Sequence, residues 1–234
     1  MREERIEILH LLAGAKKARG TAVVIDVFRA FSLECRAYHA GVKTIIPVAG
    51  VDEAFALREK HPDWLIAGER NGAKIEGFDY GNAPSEFENI RLDGKTLVHT
   101  TSAGVQGLNA VKDADEILTG SLNNAKAIAS YIEQKNPEHV SLVAMGWNGV
   151  RDTEEDVLCA EYIRSLLIGK PLENIRQLAD DLRYTEGKKF FDPAQNHIFP
   201  RRDFDLCTET DCFSGVIRVS RSEAGLSTEW IEVL

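Results

Sequence analysis

The chain alternates short apolar runs with polar turns and amphipathic stretches, and one run is more apolar than the rest. In Ala22-Val23-Val24-Ile25-Asp26-Val27, five of six side chains are apolar and mostly β-branched, the composition of a strand buried on both faces. Similar runs at residues 44–48, 64–67, 96–99, 116–119 and 139–144 predict further strands. Between them, residues 32–40, 51–60, 123–134 and 153–168 read as helices. Ser32 is the expected N-cap of the first of these and Gly41 its stop, while Asp52 and Glu53 match the dipole of the second. Residues 6–12 read equally as a strand or a first helical turn, and residues 172–182 as helical. The remainder reads as polar and irregular until a late edge strand at residues 215–219. Regular strand–helix alternation predicts a layered α/β/α fold with a mainly parallel or mixed sheet. The expected organisation is a single α/β domain over residues 1–234, with two sub-lobes at about 1–93 and 94–234. Residues 20–60 and 94–135 share one order of elements, which would set their first turns side by side at one end of a common sheet.

Composition narrows the partners. With 44% hydrophobic residues over 234, the chain can bury a sizeable core. Its formal net charge of −9 comes without a basic stripe, so neither nucleic acid nor an anionic membrane is an expected partner. A small anionic molecule is, because a local Arg and a bound cation can reverse the field inside a cleft. No apolar run approaches the roughly 18 residues of a membrane span. The N-terminal Met1-Arg2-Glu3-Glu4-Arg5 lacks a signal-peptide core. Cys35, Cys159, Cys207 and Cys212 are few and scattered, as in a protein with reduced thiols. The expected location is cytoplasmic, with a second copy of the chain as a candidate partner.

Polar residues gather where strands should end, the place where open α/β sheets bind ligands. Asp26 and Arg29 follow the most apolar run. Glu69 and Arg70, with Asp79 and Asn82, sit among Gly68, Gly72, Gly77 and Gly81. Thr100, Thr101 and Ser102 precede Gly104, and Glu154, Glu155 and Asp156 open a helix. Carboxylates are hard oxygen ligands suited to Mg²⁺. Hydroxyls and backbone N–H groups at a helix start suit a phosphate or sulfonate, and Arg29 and Arg70 could grip an anion with paired donors. Together these describe a site for an anionic ester with a divalent cation. Each cluster also has a plainer reading: Asp26 with Arg29 as a structural ion pair, the threonines as helix caps, and the Glu154 cluster as a solvated helix start. For the last two the plainer reading is preferred. Other chemistries fit poorly. Phe28 stands where a D-x-D phosphatase needs its general acid, and residues 68–72 form neither a Walker loop nor a dinucleotide fingerprint. Cys207 and Cys212 with His197 make a poor zinc set.

The segments V-V-I-D-V-F-R-A, A-G-E-R-N-G with G-F-D-Y-G-N-A-P, T-T-S-A-G and G-S-L-N-N-A occur in this order over roughly residues 20–168. In that order and spacing they resemble the 2-phosphosulfolactate phosphatase family. The resemblance implies Mg²⁺-dependent hydrolysis of 2-phospho-3-sulfolactate to sulfolactate and phosphate, a step of coenzyme M biosynthesis. It also implies a family-specific α/β fold, not that of the D-x-D phosphatases. Residues and resemblance together nominate Asp26, Arg29, Glu69 and Arg70 as catalytic. They nominate Asp26, Glu69 and Asp79 as metal ligands, and Asn82, Thr100, Thr101, Ser102, Gly104 and Asn123 as substrate contacts. Whether Asp26 is nucleophile or ligand stays open. The chain departs from the family where T-T-N-G-T-R is common. It reads Thr100-Thr101-Ser102-Ala103-Gly104-Val105-Gln106, so Gln106 removes a cationic contact to substrate. Phe31 replaces a Thr or Ser expected after Arg29-Ala30. The alternatives are a non-catalytic anion-binding or regulatory protein on the same scaffold, and an interaction protein whose clusters are caps and ion pairs.

Overall fold

The computed structural model of the chain describes residues 1–233. In chain order the elements are β1 (Ile6–His10), α1 (Leu11–Ala15), β2 (Arg19–Ile25), α2 (Ala30–His39), β3 (Thr44–Pro47), α3 (Val51–Lys60), β4 (Leu65–Arg70) and β5 (Ala73–Lys74). They continue with β6 (Thr96–Thr100), α4 (Gly104–Ala110), β7 (Asp113–Gly120), α5 (Ala125–Lys135), β8 (Val140–Ala144) and α6 (Glu154–Leu167). The last are α7 (Ile175–Asp181), α8 (Arg201–Thr208), β9 (Gly215–Ser222) and β10 (Gly225–Glu232). Both readings of residues 6–12 hold in part, since β1 runs directly into α1.

Two sheets carry the helices. The larger has strand order β1-β8-β2-β7-β9-β10, parallel from β1 to β7 and antiparallel at β9 and β10. The smaller has order β3-β6-β4-β5, parallel except for β5. This is the layered α/β arrangement that the alternation predicts. β2 is buried on both faces because each face meets its own core. Val23 and Ile25 pack with Ile128, Ile132 and Ile163 of α5 and α6, whereas Ala22 and Val24 pack with Leu108 and Val143.

The repeated order of elements survives, but not in a common sheet. β2 opens the first unit in the larger sheet and β6 opens the second in the smaller. Each unit thus gives one strand to each sheet, and the two first turns meet across the sheets. Gly104 N–H donates to Asp26 Oδ2 at 2.9 Å. The sheets also partition the chain differently from a split near residue 93, because β6 pairs with β3 and β4.

The C-terminal stretch is more ordered than its polarity suggests. Short 3-10 turns at Leu182–Tyr184 and Glu186–Phe191, followed by α8, bury Leu182, Phe190, Phe199 and Phe204 against Phe28. The Phe28 and Phe190 rings lie 5.1 Å apart, edge to face, a favourable aromatic geometry. β9 is not an edge strand, since it lies between β7 and β10. Nor does Ser32 cap α2. The helix begins at Ala30, whose N–H donates to Asp26, while Ser32 donates its hydroxyl to Val27 O at 2.8 Å. The four cysteines are free, three of them buried. Among the described residues no helix is long and apolar enough to cross a membrane.

Candidate active site

A small cavity opens where the loops after β2, β4, β6 and β8 converge with the start of α6. Asp26, Arg29, Glu69, Asn82, Glu155 and Asp156 line it, with Phe28, Trp147 and Phe199 as its apolar part. Three of the carboxylates hold the loops together. Asp26 accepts N–H bonds from Ala30 (3.2 Å) and Gly104 (2.9 Å). Glu69 accepts from Gly72 and Ser102, both at 2.7 Å. Asp156 accepts from Val27 and Gly146, both at 2.8 Å. Every one of these six oxygens therefore ties one backbone segment, which fixes the carboxylates before any ligand arrives.

Electrostatics make this an uncomfortable cluster. Burial pushes Asp26 up to about 6, with Glu69 adding to the rise and the Ala30 and Gly104 N–H groups opposing it. Burial likewise pushes Glu155 up to about 7 against the pull of Lys189. Asp156 is raised by burial and by its neighbours Glu155 and Asp26. The ammonium of Lys189 is lowered by burial, Glu155 opposing; it lies 4.9 Å from the centre of the Trp147 ring. Glu155 Oε2 is buried without a hydrogen-bond partner. Among the described residues no three His, Cys, Asp or Glu side chains form a ready-made metal cage. Mg²⁺ does not require one, since it keeps waters and takes one or two carboxylates with substrate oxygens. Crowded hard-oxygen groups whose ionised form is disfavoured by burial and by their neighbours are a donor set that a divalent cation would relieve. The donor chemistry therefore fits a hydrated Mg²⁺ on one or two of these carboxylates, Asp26 with Glu69 or Asp156 beside it.

The solvated-helix reading of residues 154–156 holds for exposed Glu154 and fails for Glu155 and Asp156, which are 3% and 2% exposed. The signal was available in the sequence. Asp156, Ala160 and Ile163 share one face of α6, so an apolar stripe that runs on toward the N-terminus carries Asp156 inward. Lys189, Trp147 and Phe199 had no such signal.

Arg29 lines the cavity but does not pair with Asp26. Its Nη1 bonds Asp203 Oδ2 at 2.8 Å and Ile198 O at 2.9 Å, and its Nη2 bonds Gly72 O at 2.7 Å. Its guanidinium thus ties the C-terminal stretch over the site. Ser102 and Gly104 contribute backbone N–H groups to the carboxylates. Thr101 Oγ1 accepts the Val105 N–H at 3.1 Å, so Thr101 does cap α4. Thr100 accepts from Arg70 at 3.1 Å, and Arg70 also bonds Glu69 O; neither lines the cavity. Asp79 is not brought to the site. Both its oxygens meet Arg58, at 2.6 and 2.9 Å, and it accepts the Ile66 N–H. Asn123 is likewise elsewhere, donating to Leu206 O and Glu209 O and so anchoring the end of α8. Gln106 bonds Ala49 O at 3.0 Å on the exposed side of α4. Phe31 is fully buried beneath α4, where a Cβ on residue 104 would stand 2.9 Å from its ring. Its departure from the expected Thr or Ser is a packing feature.

Comparison with known proteins bears on what such a cavity does. A family model described as 2-phosphosulpholactate phosphatase matches residues 8–221. A Clostridium acetobutylicum protein named probable 2-phosphosulfolactate phosphatase is 33% identical over 216 residues, covering 87% of this chain and 91% of its own. A Bacillus subtilis protein of the same name is 32% identical over 193 residues, covering 80% and 81%. One from Clostridium perfringens strain SM101 is 36% identical over 167 residues, covering 70% and 67%.

Proposed function

Because the chain belongs to the 2-phosphosulfolactate phosphatase family, whose members are phosphoric monoester hydrolases, we propose that it hydrolyses 2-phospho-3-sulfolactate to sulfolactate and phosphate with Mg²⁺ in the Asp26 cavity. The observation that carries this reading is the convergence of Asp26, Glu69, Glu155 and Asp156 on one cavity at the ends of parallel strands. Asp26, with Glu69 or Asp156, would hold the ion, which would supply positive charge to the phosphoryl oxygens and to the oxygens gaining charge in the transition state. Phosphoryl transfer asks mainly for positioning and charge neutralisation. The backbone clamps on the three carboxylates supply the first. Glu155, whose Oε2 is buried without a partner and whose carboxyl is pushed up to about 7, would be the group to pass a proton to the departing alkoxide oxygen. Phe28, Trp147 and Phe199 keep bulk water from the reacting atoms. A cytoplasmic location belongs to the same proposal. The alternative of anion binding without turnover loses its basis in the sequence, since Gln106 lies outside the cavity, and is kept as an outcome of the test.

A phosphate-release screen over small phospho acids, with Mg²⁺ and with chelator, separates the two. The proposal expects release from 2-phospho-3-sulfolactate that stops in chelator and returns with Mg²⁺. Binding without release favours the alternative, and full release in excess chelator removes the metal.

A further inference from the structure

Behind Asn82 lies a buried polar chain that this hydrolytic reading leaves unused. Glu34 on α2 and His99 on β6 are both 0% exposed, an expensive place for ionisable groups unless they are paired. His99 Nδ1 lies 2.9 Å from Glu34 Oε1, and His99 Nε2 lies 3.3 Å from Asn82 Oδ1. An ionised carboxylate and an amide carbonyl can only accept hydrogen bonds. With Glu34 as a carboxylate and the Asn82 oxygen toward the ring, each ring nitrogen of His99 donates, one to Glu34 and one to Asn82. The amide of Asn82 is left with its NH₂ end unbonded among the described residues, on a side chain that lines the cavity. Were the amide turned over, its NH₂ would bond a ring nitrogen that carries no hydrogen, and its carbonyl oxygen would face an anionic ligand.

Resting on the phosphatase reading above, we propose that Glu34 and His99 are positioning residues that hold the Asn82 amide with its NH₂ toward the cavity, as a donor to an oxyanion of the substrate. The geometry carries this: Glu34 Oε1 holds Nδ1 of the ring at 2.9 Å, which fixes the ring with Nε2 toward the Asn82 amide. Glu34 and His99 touch no substrate in this account. They act through Asn82.

The test uses calorimetric binding of inorganic phosphate and of methanesulfonate, together with kcat and KM for phosphate release. Asn82→Asp keeps an acceptor for His99 but turns a carboxylate to the cavity. It should weaken one of the two anions by about tenfold or more, as loss of a hydrogen bond to a charged group does, and raise KM more than it lowers kcat. The anion that weakens identifies the group Asn82 holds. Glu34→Gln should show the same loss in the wild-type background and add nothing in Asn82→Ala, because it acts only through that amide. Should Glu34→Gln not fold, His99→Gln enters the same cycle. Unchanged anion affinity in Asn82→Asp overturns the proposal, as does a Glu34 effect fully retained in Asn82→Ala, or a wild-type protein that binds neither anion. The predicted weakening in a protein that releases no phosphate would support this role for Asn82 while ending the phosphatase reading.

Discussion

Gly104 shows how little room the site leaves. Its N–H bonds Asp26, and a Cβ there would stand 2.8 Å from Asp26 Oδ2. Gly104→Ala should displace the carboxylate without touching substrate. Misplacing a reacting group by an ångström can cost about 10²-fold, so phosphate release should fall by about that factor while circular dichroism stays native. Release at the wild-type rate would mean that the seat of Asp26 is not used. Position 106 makes the opposite case. Sequence alone suggests that Gln106→Arg would restore a sulfonate contact, yet Gln106 bonds Ala49 O on an exposed surface outside the cavity. The ratio of kcat/KM for phosphosulfolactate over phospholactate should therefore stay unchanged in Gln106→Arg. A rise of about tenfold, the worth of a charged hydrogen bond, would place residue 106 at the substrate.

Among the elements, the C-terminal stretch is tied to the site by one buried ion pair, Arg29 at 3% exposed with Asp203 at 0%. Asp203 also accepts the Ser85 N–H at 3.0 Å. Asp203→Ala would leave the guanidinium buried without its counter-charge, a change that costs about 3–5 kcal/mol. Urea unfolding should show a loss of that size, and a loss under about 1 kcal/mol would mean that Arg29 finds another partner. This is also where the sequence was least legible. β2, β6 and β8 announced themselves by apolar runs, and with them Asp26 and Glu69 at or beside strand ends. Phe190, Phe199 and Phe204 follow neither a period of 2 nor one of 3.6, so nothing in their spacing marked residues 182–208 as the part of the chain that packs over Phe28. Asp79 was misleading for a related reason. A carboxylate in a glycine-rich loop looks like a ligand until its partner Arg58, 21 residues earlier in the chain, is seen beside it. Asn123 likewise looked available until α8 supplied its two carbonyl partners.

For the molecule as a whole, the carboxylate cluster makes stability depend on pH. Asp26 and Glu155 titrate higher folded, at about 6 and about 7, than in an unfolded chain, where carboxyls titrate at about 4. The folded state binds more protons between those values, so their contribution to stability is fully present below about pH 4 and lost as pH rises through about 6 to 7. A cation that binds the ionised cluster should offset that loss. The melting temperature should gain more from Mg²⁺ at pH 8 than at pH 5. An equal gain at both, or none, would separate the metal from these carboxylates. If phosphoester cleavage takes place at Asp26, turnover of 2-phospho-3-sulfolactate must collapse in folded Asp26→Asn. The expected loss in kcat is about a hundredfold or more, the mark of roughly 3 kcal/mol of lost transition-state stabilisation. Turnover close to that of the wild type would contradict cleavage at Asp26.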